Sequence, residues 1–317
     1  MREVALWYNK IVRSTGGCRP FKINKERGSY ELNNPKTVLE DVRFKAKKET
    51  GIRGYAMLDS HTAQFHLNCR NGDAGEYCLL PGDPGRCEKI ARYFDDGEFL
   101  VSNREFTIWR GTLLGERVSV CSTGIGGPSA AIAVEELAAV GVKSFIRVGT
   151  CGGIALPVCS GDVVIASSAV RQDGTSHEYA PPEYPATADF YLTSALVSEA
   201  RALDVPHHVG VVQSKDSFYG QHSPSRMPIA AALNEKWEAW KRLGVLASEM
   251  EAAAIFTVAA SLGLSAAAVF HVIWNQERYA AELDTNKAES HDTDLAIKVA
   301  VGALRRIISD KKSTTKC

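Results

Sequence analysis

Residues 117–148 read RVSVCS-TGIGGP-SAAIAVEELAAV-GVK-SFIRV, and this stretch decides the fold class. An apolar run is followed by glycines, then by apolar residues at helical spacing, and then by a second apolar run. This order is typical of a strand, a helix and a parallel strand. Because the same alternation starts at Tyr77 and continues to the C-terminus, we predict an α/β fold. The expected architecture is a single domain with a central mixed, mostly parallel twisted sheet flanked by helices.

Apolar runs, turn residues and helical periodicity also predict where the elements lie. The strands are expected at 77–81, 98–102, 106–113, 117–122, 144–148, 162–170, 208–213 and 265–274. The helices are expected at 85–94, 129–140, 188–203, 229–242, 250–261 and 290–309. Residues 252–270 carry no charge over nineteen positions, but they are rich in alanine and interrupted by Ser-Leu-Gly-Leu-Ser. We therefore interpret them as a buried helix, a turn and a buried strand, and expect no membrane partner.

The composition excludes several classes of protein. Hydrophobic residues make up 45% and charged residues 23% of the 317 positions, which is typical of a folded globular chain. Thirty-seven basic side chains balance thirty-seven acidic ones, so no long-range field draws the chain to nucleic acid. Any bound anion must be held locally. The eight cysteines form no C-x-x-C pair, which fits buried thiols in a reducing compartment, and a cytoplasmic location is expected.

Three predicted strands run directly into glycine, at Gly82, Gly124 and Gly149. The carboxyl ends of parallel strands share one edge of a sheet, where α/β proteins bind ligands. In the first loop, Gly82 would let backbone N–H groups approach an oxyanion, and Arg86 adds a forked cationic donor. An ordinary turn with an exposed arginine explains this loop equally well.

The other two glycine loops limit which ligands the predicted site could bind. The second loop departs from the dinucleotide pattern because Ser129 takes the last glycine place, so a nicotinamide cofactor is disfavoured. Arg147 stands inside an apolar strand, where a charge must be paired or must bind a ligand, and both roles remain open. Thr150 adds a hydroxyl donor. Cys151 is interpreted as a small buried side chain, since no base accompanies it.

Five motifs carry a resemblance to a known family. They are Pro81-Gly-Asp-Pro-Gly-Arg86, Arg104-Glu-Phe-Thr-Ile-Trp109, Ser122-Thr-Gly-Ile-Gly-Gly-Pro-Ser129, Arg147-Val-Gly-Thr150 and Ser248-Glu-Met-Glu-Ala252. Together, and in this order, they resemble the nucleoside phosphorylase-I family, most closely its uridine-cleaving members. The resemblance runs from about Phe65 to about Ile308. It implies an N-terminal extension over 1–64, partly irregular, and a catalytic domain over 65–317 with the nucleoside phosphorylase fold.

The resemblance also implies a role for individual residues. The phosphate-binding residues would be Gly82, Arg86, Arg104, Arg147 and Thr150, with Arg104 supplied by a neighbouring subunit. The ribose-binding residues would be Met250, Glu251 and, from across a homodimer, His66. The base-binding residues would be Phe218, Gln221 and Arg226, with Phe218 stacked on the ring unless it is a core residue. The catalytic set is Arg86, Arg147, Thr150, Gln221 and Arg226.

The base site matches the family less fully than the phosphate site does. The family's Gln-x-Arg pair is broken, because Gln221 is followed by His222 and Ser223, and we expect Arg226 to take the place of the arginine. Purine-cleaving relatives use a Ser-Asp pair after the last strand, where this chain has Asn275-Gln276. A pyrimidine is therefore favoured. The implied reaction is the phosphorolysis of uridine to uracil and ribose 1-phosphate in pyrimidine salvage, with phosphate as co-substrate and no required cofactor.

Two further expectations come from the resemblance. Glu105, Ile125 and Ser129 match positions that hold a monovalent cation between subunits in some relatives, and oxygen ligands suit such a hard ion. Because Arg104 and His66 would serve the neighbour's site, a homodimer with shared active sites is expected. Three alternatives stay open at this point: a nucleoside hydrolase, another nucleoside phosphorylase of the same fold, and a non-catalytic nucleoside-binding protein.

Overall fold

The computed structural model describes residues 62–284 and 289–314, and the predicted extension over 1–64 lies almost wholly outside them. In this described part there are ten strands and nine α-helices. The strands are β1 Tyr77–Leu80, β2 Asp95–Asn103, β3 Phe106–Leu113, β4 Glu116–Cys121, β5 Ser144–Gly153, β6 Val163–Gln172, β7 Ala186–Thr187, β8 His207–Lys215, β9 Ala247–Glu249 and β10 Ser265–Asn275. The helices are α1 Gly85–Ala91, α2 Gly127–Ala139, α3 Thr175–Tyr179, α4 Phe190–Ala202, α5 Phe218–His222, α6 Ala230–Arg242, α7 Ala252–Ser261, α8 Gln276–Ala280 and α9 Asp294–Thr314.

All ten strands belong to one sheet, which curls on itself. Strands β2, β3, β4 and β1 form an open extension that leads to β5. From β5 the pairing continues through β10, β6, β8 and β9 and returns to β5, so these five strands form a closed ring. The predicted α/β class with a mixed sheet is confirmed. Within the described chain, parallel and antiparallel pairings are equally numerous, so the sheet is more evenly mixed than predicted.

Helices cover both sides of the sheet. Helices α2 and α7 pack together over one hydrophobic core, and α4 and α9 pack together over a second core that α1 also joins. The apolar stretch 252–270 forms the buried helix α7, a turn and the buried strand β10, as predicted. No helix in residues 62–284 and 289–314 has the length and apolar character that crossing a bilayer requires.

Strand β5 departs from its prediction in a way that matters for the site. The prediction that it ends at Val148 is wrong, because β5 pairs in parallel with β10 as far as Gly153, which lies opposite Asn275. Gly149 is what allows this continuation. A Cβ atom there would lie 2.6 Å from the Phe270 ring, so only a glycine lets the two strands approach. Arg147 and Thr150 are therefore held on a rigid strand and not in a loop.

The cysteines behave as their spacing predicts. Among the described residues, five thiols are buried: those of Cys69, Cys78, Cys87, Cys121 and Cys151. Burial raises the pKa of Cys69, Cys78 and Cys87 to about 12 and raises the pKa of Cys151 as well. Because the thiolate is the nucleophilic form, these side chains are core residues and not nucleophiles.

Candidate active site

The site is centred on the guanidinium group of Arg147, which is 4% exposed at the middle of β5. Its Nη2 donates to Glu251 Oε2, and its Nε lies 3.6 Å from Glu249 Oε2, too far for a hydrogen bond. Within the described chain, Nε and Nη1 have no hydrogen-bond partner. A buried donor without a partner is costly, so these two nitrogens mark a place for an anionic ligand. Both predicted roles of Arg147, ion pairing and ligand binding, are compatible with this geometry.

A second cation lies beside Arg147. Arg86, on the first turn of α1, donates from Nη1 to the carbonyl oxygen of Val148 at 3.2 Å. Burial lowers the pKa of Arg86, and the positive charge of Arg147 lowers it further. Gly82 completes the group, since a Cβ atom on it would lie 3.8 Å from Arg147 Nη2 and 3.1 Å from the Gly124 carbonyl oxygen. The structure thus brings together two like charges and a side-chain-free stretch of backbone, which is the composition of an anion site.

The other two predicted phosphate-binding residues lie in different surroundings. Thr150 is half-buried on β5, three residues beyond Arg147, and pairs with His271 of β10. Arg104 is exposed at the turn between β2 and β3, and its guanidinium carbon lies 5.9 Å from the centre of the Phe65 ring. The structure therefore places Gly82, Arg86 and Arg147 together and leaves Arg104 on the surface.

The Glu249-Met250-Glu251 run supplies two buried carboxylates. Glu251 accepts from the backbone N–H of Gly126 at 2.7 Å and from Arg147, so it joins the second glycine loop to β5. Glu249 accepts from the Ser214 hydroxyl and from the N–H groups of Glu251 and Ala252 at the start of α7. Burial and the charge of Glu251 raise the pKa of Glu249. These contacts fix the orientation of Arg147 from two sides, while the Met250 side chain stays half-buried.

A cavity of about 330 Å³ lies at the carboxyl end of β8. Among the residues that line it are Gln213, Lys215, Gln221, Trp237, Trp240 and Gln276. Gln221 Oε1 lies 2.7 Å from the Ser248 hydroxyl oxygen, and this contact connects the cavity to β9, the strand that ends at Glu249. The predicted base-binding residue Gln221 therefore lies within the same contact network as Glu249 and Arg147.

The other predicted base-binding side chains lie outside the cavity wall. Phe218 is 50% exposed, so it is no core residue, and its ring lies 4.3 Å from that of His222. Arg226 is exposed, with its guanidinium carbon 5.4 Å from the centre of the Tyr219 ring. Arg226 is not among the described residues that line the cavity.

His66 is held in place by a buried carboxylate. Glu136 of α2 accepts from the backbone N–H groups of His66 and Leu67 and lies 2.6 Å from His66 Nδ1. The Phe65 ring packs edge-on against the imidazole with centres 4.8 Å apart, and Phe65 itself is 57% exposed. The pair thus presents an apolar ring and an oriented imidazole at the surface beside Arg104.

We expect Glu136→Ala to lower the free energy of unfolding by about 2 kcal/mol, because the backbone N–H groups of His66 and Leu67 lose the carboxylate that accepts their hydrogen bonds in a largely buried setting. Urea denaturation of the full chain measures this. Glu88→Ala on α1 is the matched control, since Glu88 is exposed and pairs with the exposed Arg92. An equal effect of the two substitutions would contradict the role of Glu136.

Two of the three expected cation ligands lie together. Ser129 donates from its hydroxyl to Glu105 Oε1 at 2.7 Å, and this hydrogen bond lowers the pKa of Glu105. Ile125 is 78% exposed on the neighbouring glycine loop. In the part of the chain that the structure describes, no cluster of three or more His, Cys, Asp or Glu side chains is able to hold a metal ion. A carboxylate and a hydroxyl fit a weakly held monovalent cation, which takes oxygen ligands.

Asn275 has a structural role in addition to marking the absence of the purine-type acid. Its Oδ1 accepts from the N–H groups of Glu277 and Arg278 and so caps α8. Its Nδ2 donates to the carbonyl oxygens of Ala155 and Val158. A carboxamide has no acidic proton to transfer, and with both ends of the amide in use Asn275 is not available as a hydrogen-bond donor to a substrate either.

Sequence reasoning missed three residues of this network: Lys215, Ser248 and Glu249. Ser248 and Glu249 stand inside a quoted motif, but their inward contacts depend on β9, a three-residue strand too short to be recognised from periodicity. Lys215 directly precedes Asp216 in the Ser-Lys-Asp run, where a lysine ordinarily reads as a surface residue. Its burial at 5% exposure is the observation that identifies it.

The curled mixed sheet, with Arg147 on β5 beside Arg86 on α1, defines a nucleoside phosphorylase-like α/β protein. The family model described as the phosphorylase superfamily matches residues 76–309, and the chain belongs to this family. A uridine phosphorylase of Treponema pallidum is 49% identical over 253 residues, which cover 80% of this chain and 97% of that protein. One of Klebsiella aerogenes is 44% identical, covering 77% and 98%. A guanosine phosphorylase of Halorubrum lacusprofundi is 38% identical, covering 76% and 98%.

Proposed function

We propose that this protein catalyses the reversible phosphorolysis of uridine to uracil and ribose 1-phosphate in pyrimidine salvage. The observation that carries the proposal is the buried guanidinium of Arg147, which has two hydrogen-bond donors without partners and lies beside the like-charged Arg86. Two neighbouring guanidinium groups, one of them with unused hydrogen-bond donors, suit a doubly charged oxyanion. The substrate follows from the relatives, because those with 43–49% identity over most of this chain include several named uridine phosphorylase.

The proposed chemistry follows from how charge develops in the reaction. As the C1′–N1 bond breaks, its electron pair goes to uracil and positive charge builds on the ribose ring, while a phosphate oxygen forms the new bond to C1′. Gly82, Arg86, Arg147 and Thr150 would hold phosphate below C1′, with Arg104 added by the partner subunit. Positioning and electrostatic stabilisation then supply most of the rate enhancement, and no nucleophilic side chain is needed.

The sugar and the base have their own proposed contacts. Glu251 and Met250 would bind the ribose, with the Glu251 carboxylate on its hydroxyls, and His66 would reach the 5′-hydroxyl across the dimer. Gln221 would hydrogen-bond the uracil edge, and Phe218 would stack on the ring. The role of Arg226 at the uracil edge stays a prediction, since this arginine lies over the Tyr219 ring.

The assembly is part of the same proposal. The protein would act in the cytoplasm as a homodimer with shared active sites, using phosphate as its co-substrate. Glu105, Ile125 and Ser129 would hold a monovalent cation between the subunits. The hydrogen bond between Ser129 and Glu105 supports this ligand set, because it places two oxygen donors side by side.

Phosphate dependence tests the proposal directly. We expect uracil release from uridine to require added phosphate and to yield ribose 1-phosphate in equal amount, measured by absorbance change and by product chromatography in phosphate-free buffer. Equal rates with and without phosphate, with free ribose as product, would identify a nucleoside hydrolase. A protein that binds uridine by calorimetry but turns over no nucleoside would be a non-catalytic binder.

A second candidate is another nucleoside phosphorylase, favoured by the 38% identity to a guanosine phosphorylase. A panel of uridine, deoxyuridine, thymidine, inosine, guanosine and adenosine decides between the two. We expect uridine to give the highest kcat/KM, because Asn275 has both ends of its amide in use and offers no acid for a purine leaving group. A higher value for guanosine than for uridine would replace the proposed substrate.

A further inference from the structure

Lys215 is a buried cation for which the proposed mechanism has no use so far. It ends β8, is 5% exposed, and donates from Nζ to the Ser248 hydroxyl oxygen at 2.7 Å. The same hydroxyl oxygen lies 2.7 Å from Gln221 Oε1. Lys215 and Gln221 therefore share one hydrogen-bonding partner, and both line the cavity at the end of β8. The cation is next to the amide that is proposed to hold uracil.

This lysine is not part of a structural ion pair. Within the described residues, no carboxylate oxygen lies in ion-pair contact with its Nζ, and the Ser248 bond is the one hydrogen bond that the ammonium makes. An ammonium group has three donors, so the geometry leaves two for another partner. Burial lowers the pKa of Lys215 to about 8, although Glu249 and Glu251 act in the opposite direction. A fold rarely keeps such a poorly compensated charge inside unless a ligand uses it.

The cavity has few other sources of positive charge. Gln276 lines it but is neutral, and Arg226 lies outside it against Tyr219. Lys236 also lines the cavity, but its side chain is exposed to solvent on α6. A departing uracil carries negative charge on its two carbonyl oxygens, and a donor held in a site of low polarity stabilises such charge far better than a solvated one does. Among the described residues at this cavity, Lys215 is the buried cation that meets this requirement.

We propose that Lys215 is a catalytic residue that binds the uracil base: its ammonium group donates a hydrogen bond to a uracil carbonyl oxygen and stabilises the anion that leaves as the C1′–N1 bond breaks. No proton need be transferred in this step, because the electron pair of the broken bond is delocalised onto the carbonyl oxygens. Lys215 thus supplies the positive charge that the broken Gln-x-Arg pair lacks. This inference rests on the proposed function, since it assigns the base contacts of the same site.

The test compares Lys215→Met with Lys236→Met, a matched removal of a lysine from the wall of the same cavity. Calorimetry measures the uracil affinity of each full-length variant, and steady-state kinetics measures kcat with uridine and with 5-fluorouridine. We expect Lys215→Met to weaken uracil binding about tenfold or more and to lower kcat with uridine about 10²-fold. The loss should be smaller with 5-fluorouridine, whose base is a more stable anion. Lys236→Met should change each value less than twofold.

Two results would overturn the assignment. One is a folded Lys215→Met variant with uracil affinity and kcat within twofold of the wild type. The other is an equal loss of kcat with both nucleosides, which is what a purely structural lysine would give. Should Lys215→Met fail to fold, a crystal structure of the wild type with uracil decides, since Nζ must lie within hydrogen-bond distance of a carbonyl oxygen. Binding of uracil by a wild type without turnover would overturn both the proposed function and the catalytic role of Lys215, whereas turnover that Lys215→Met leaves unchanged would overturn the Lys215 assignment alone.

Discussion

Arg147→Ala is expected to lower kcat/KM for phosphate-dependent uracil release by about 10³-fold, because it removes a preorganised charge together with two donors aimed at the phosphate. The apparent affinity for phosphate should fall as well, since Arg86 is then the one cation that the same chain still supplies to the proposed phosphate-binding set. Initial rates at several phosphate concentrations measure both quantities. Arg92→Ala is the matched control, because Arg92 is exposed at the C-terminal cap of α1 and pairs with the exposed Glu88.

Arg147→Ala also affects stability, and the two effects must be separated. The substitution leaves the carboxylates of Glu249 and Glu251 buried without their cation, which costs about 3–5 kcal/mol when one partner of a buried pair is lost. The double variant Arg147→Met/Glu249→Gln removes one charge of each sign and preserves the balance of the buried cluster. We expect it to regain part of the unfolding free energy in urea, since Glu251 stays buried without its cation, but none of the activity.

Recovery of activity in the double variant would contradict the proposed role. It would mean that Arg147 serves to neutralise Glu249 and does not contact phosphate. The proposed role would also be contradicted if Arg147→Ala kept its phosphate dependence and a kcat/KM within tenfold of the wild type. The Arg92→Ala control excludes a general effect of lost positive charge on the rate.

The fold was predictable where hydrophobic periodicity is strong. Helix α7 and strand β10 follow from the apolar stretch 252–270, because helix and strand periods differ and a glycine separates them. Strand β5 was predicted too short, because a glycine after Val148 ordinarily ends a strand. What continues it is the parallel pairing with β10, in which Gly149 lies opposite Phe270, a residue more than 120 positions away that no local pattern connects to it. The closing of the sheet into a ring has the same non-local origin.

The site was predictable in its residue types but not in its contacts. Arg147 had to be paired or bound to a ligand, yet its partner Glu251 lies 104 positions away. Glu136 contacts the His66 side chain across 70 positions of sequence, and no local pattern in either segment predicts this contact. Lys215 was missed because a lysine in a polar run is usually a solvated residue, so its burial was not expected. Burial of polar groups is decided by tertiary packing, and this is why the structure adds most at the base cavity.

Mixing two inactive variants is expected to restore activity if Arg104 serves the neighbouring subunit. Arg104 is exposed beside Phe65, whereas Arg147 is 4% exposed in the interior, so the two residues occupy different surroundings in one chain. In a mixed dimer of Arg104→Ala and Arg147→Ala chains, one of the two sites combines the intact Arg147 of the first chain with the intact Arg104 of the second. The other site carries both substitutions.

Random pairing makes half of the dimers mixed, so about a quarter of all sites should be intact in an equimolar mixture. Co-expression of the two chains with different affinity tags, followed by sequential purification on both tags, isolates the mixed dimer and raises the expected fraction to about one half. The rate of uracil release at saturating phosphate is compared between the mixed dimer and each single variant. Each single variant should be at least 10²-fold slower. A doubly tagged dimer no faster than the single variants would show that Arg104 and Arg147 act in the same chain or in separate steps. Complementation requires sites built from both subunits, because neither chain alone carries both arginines.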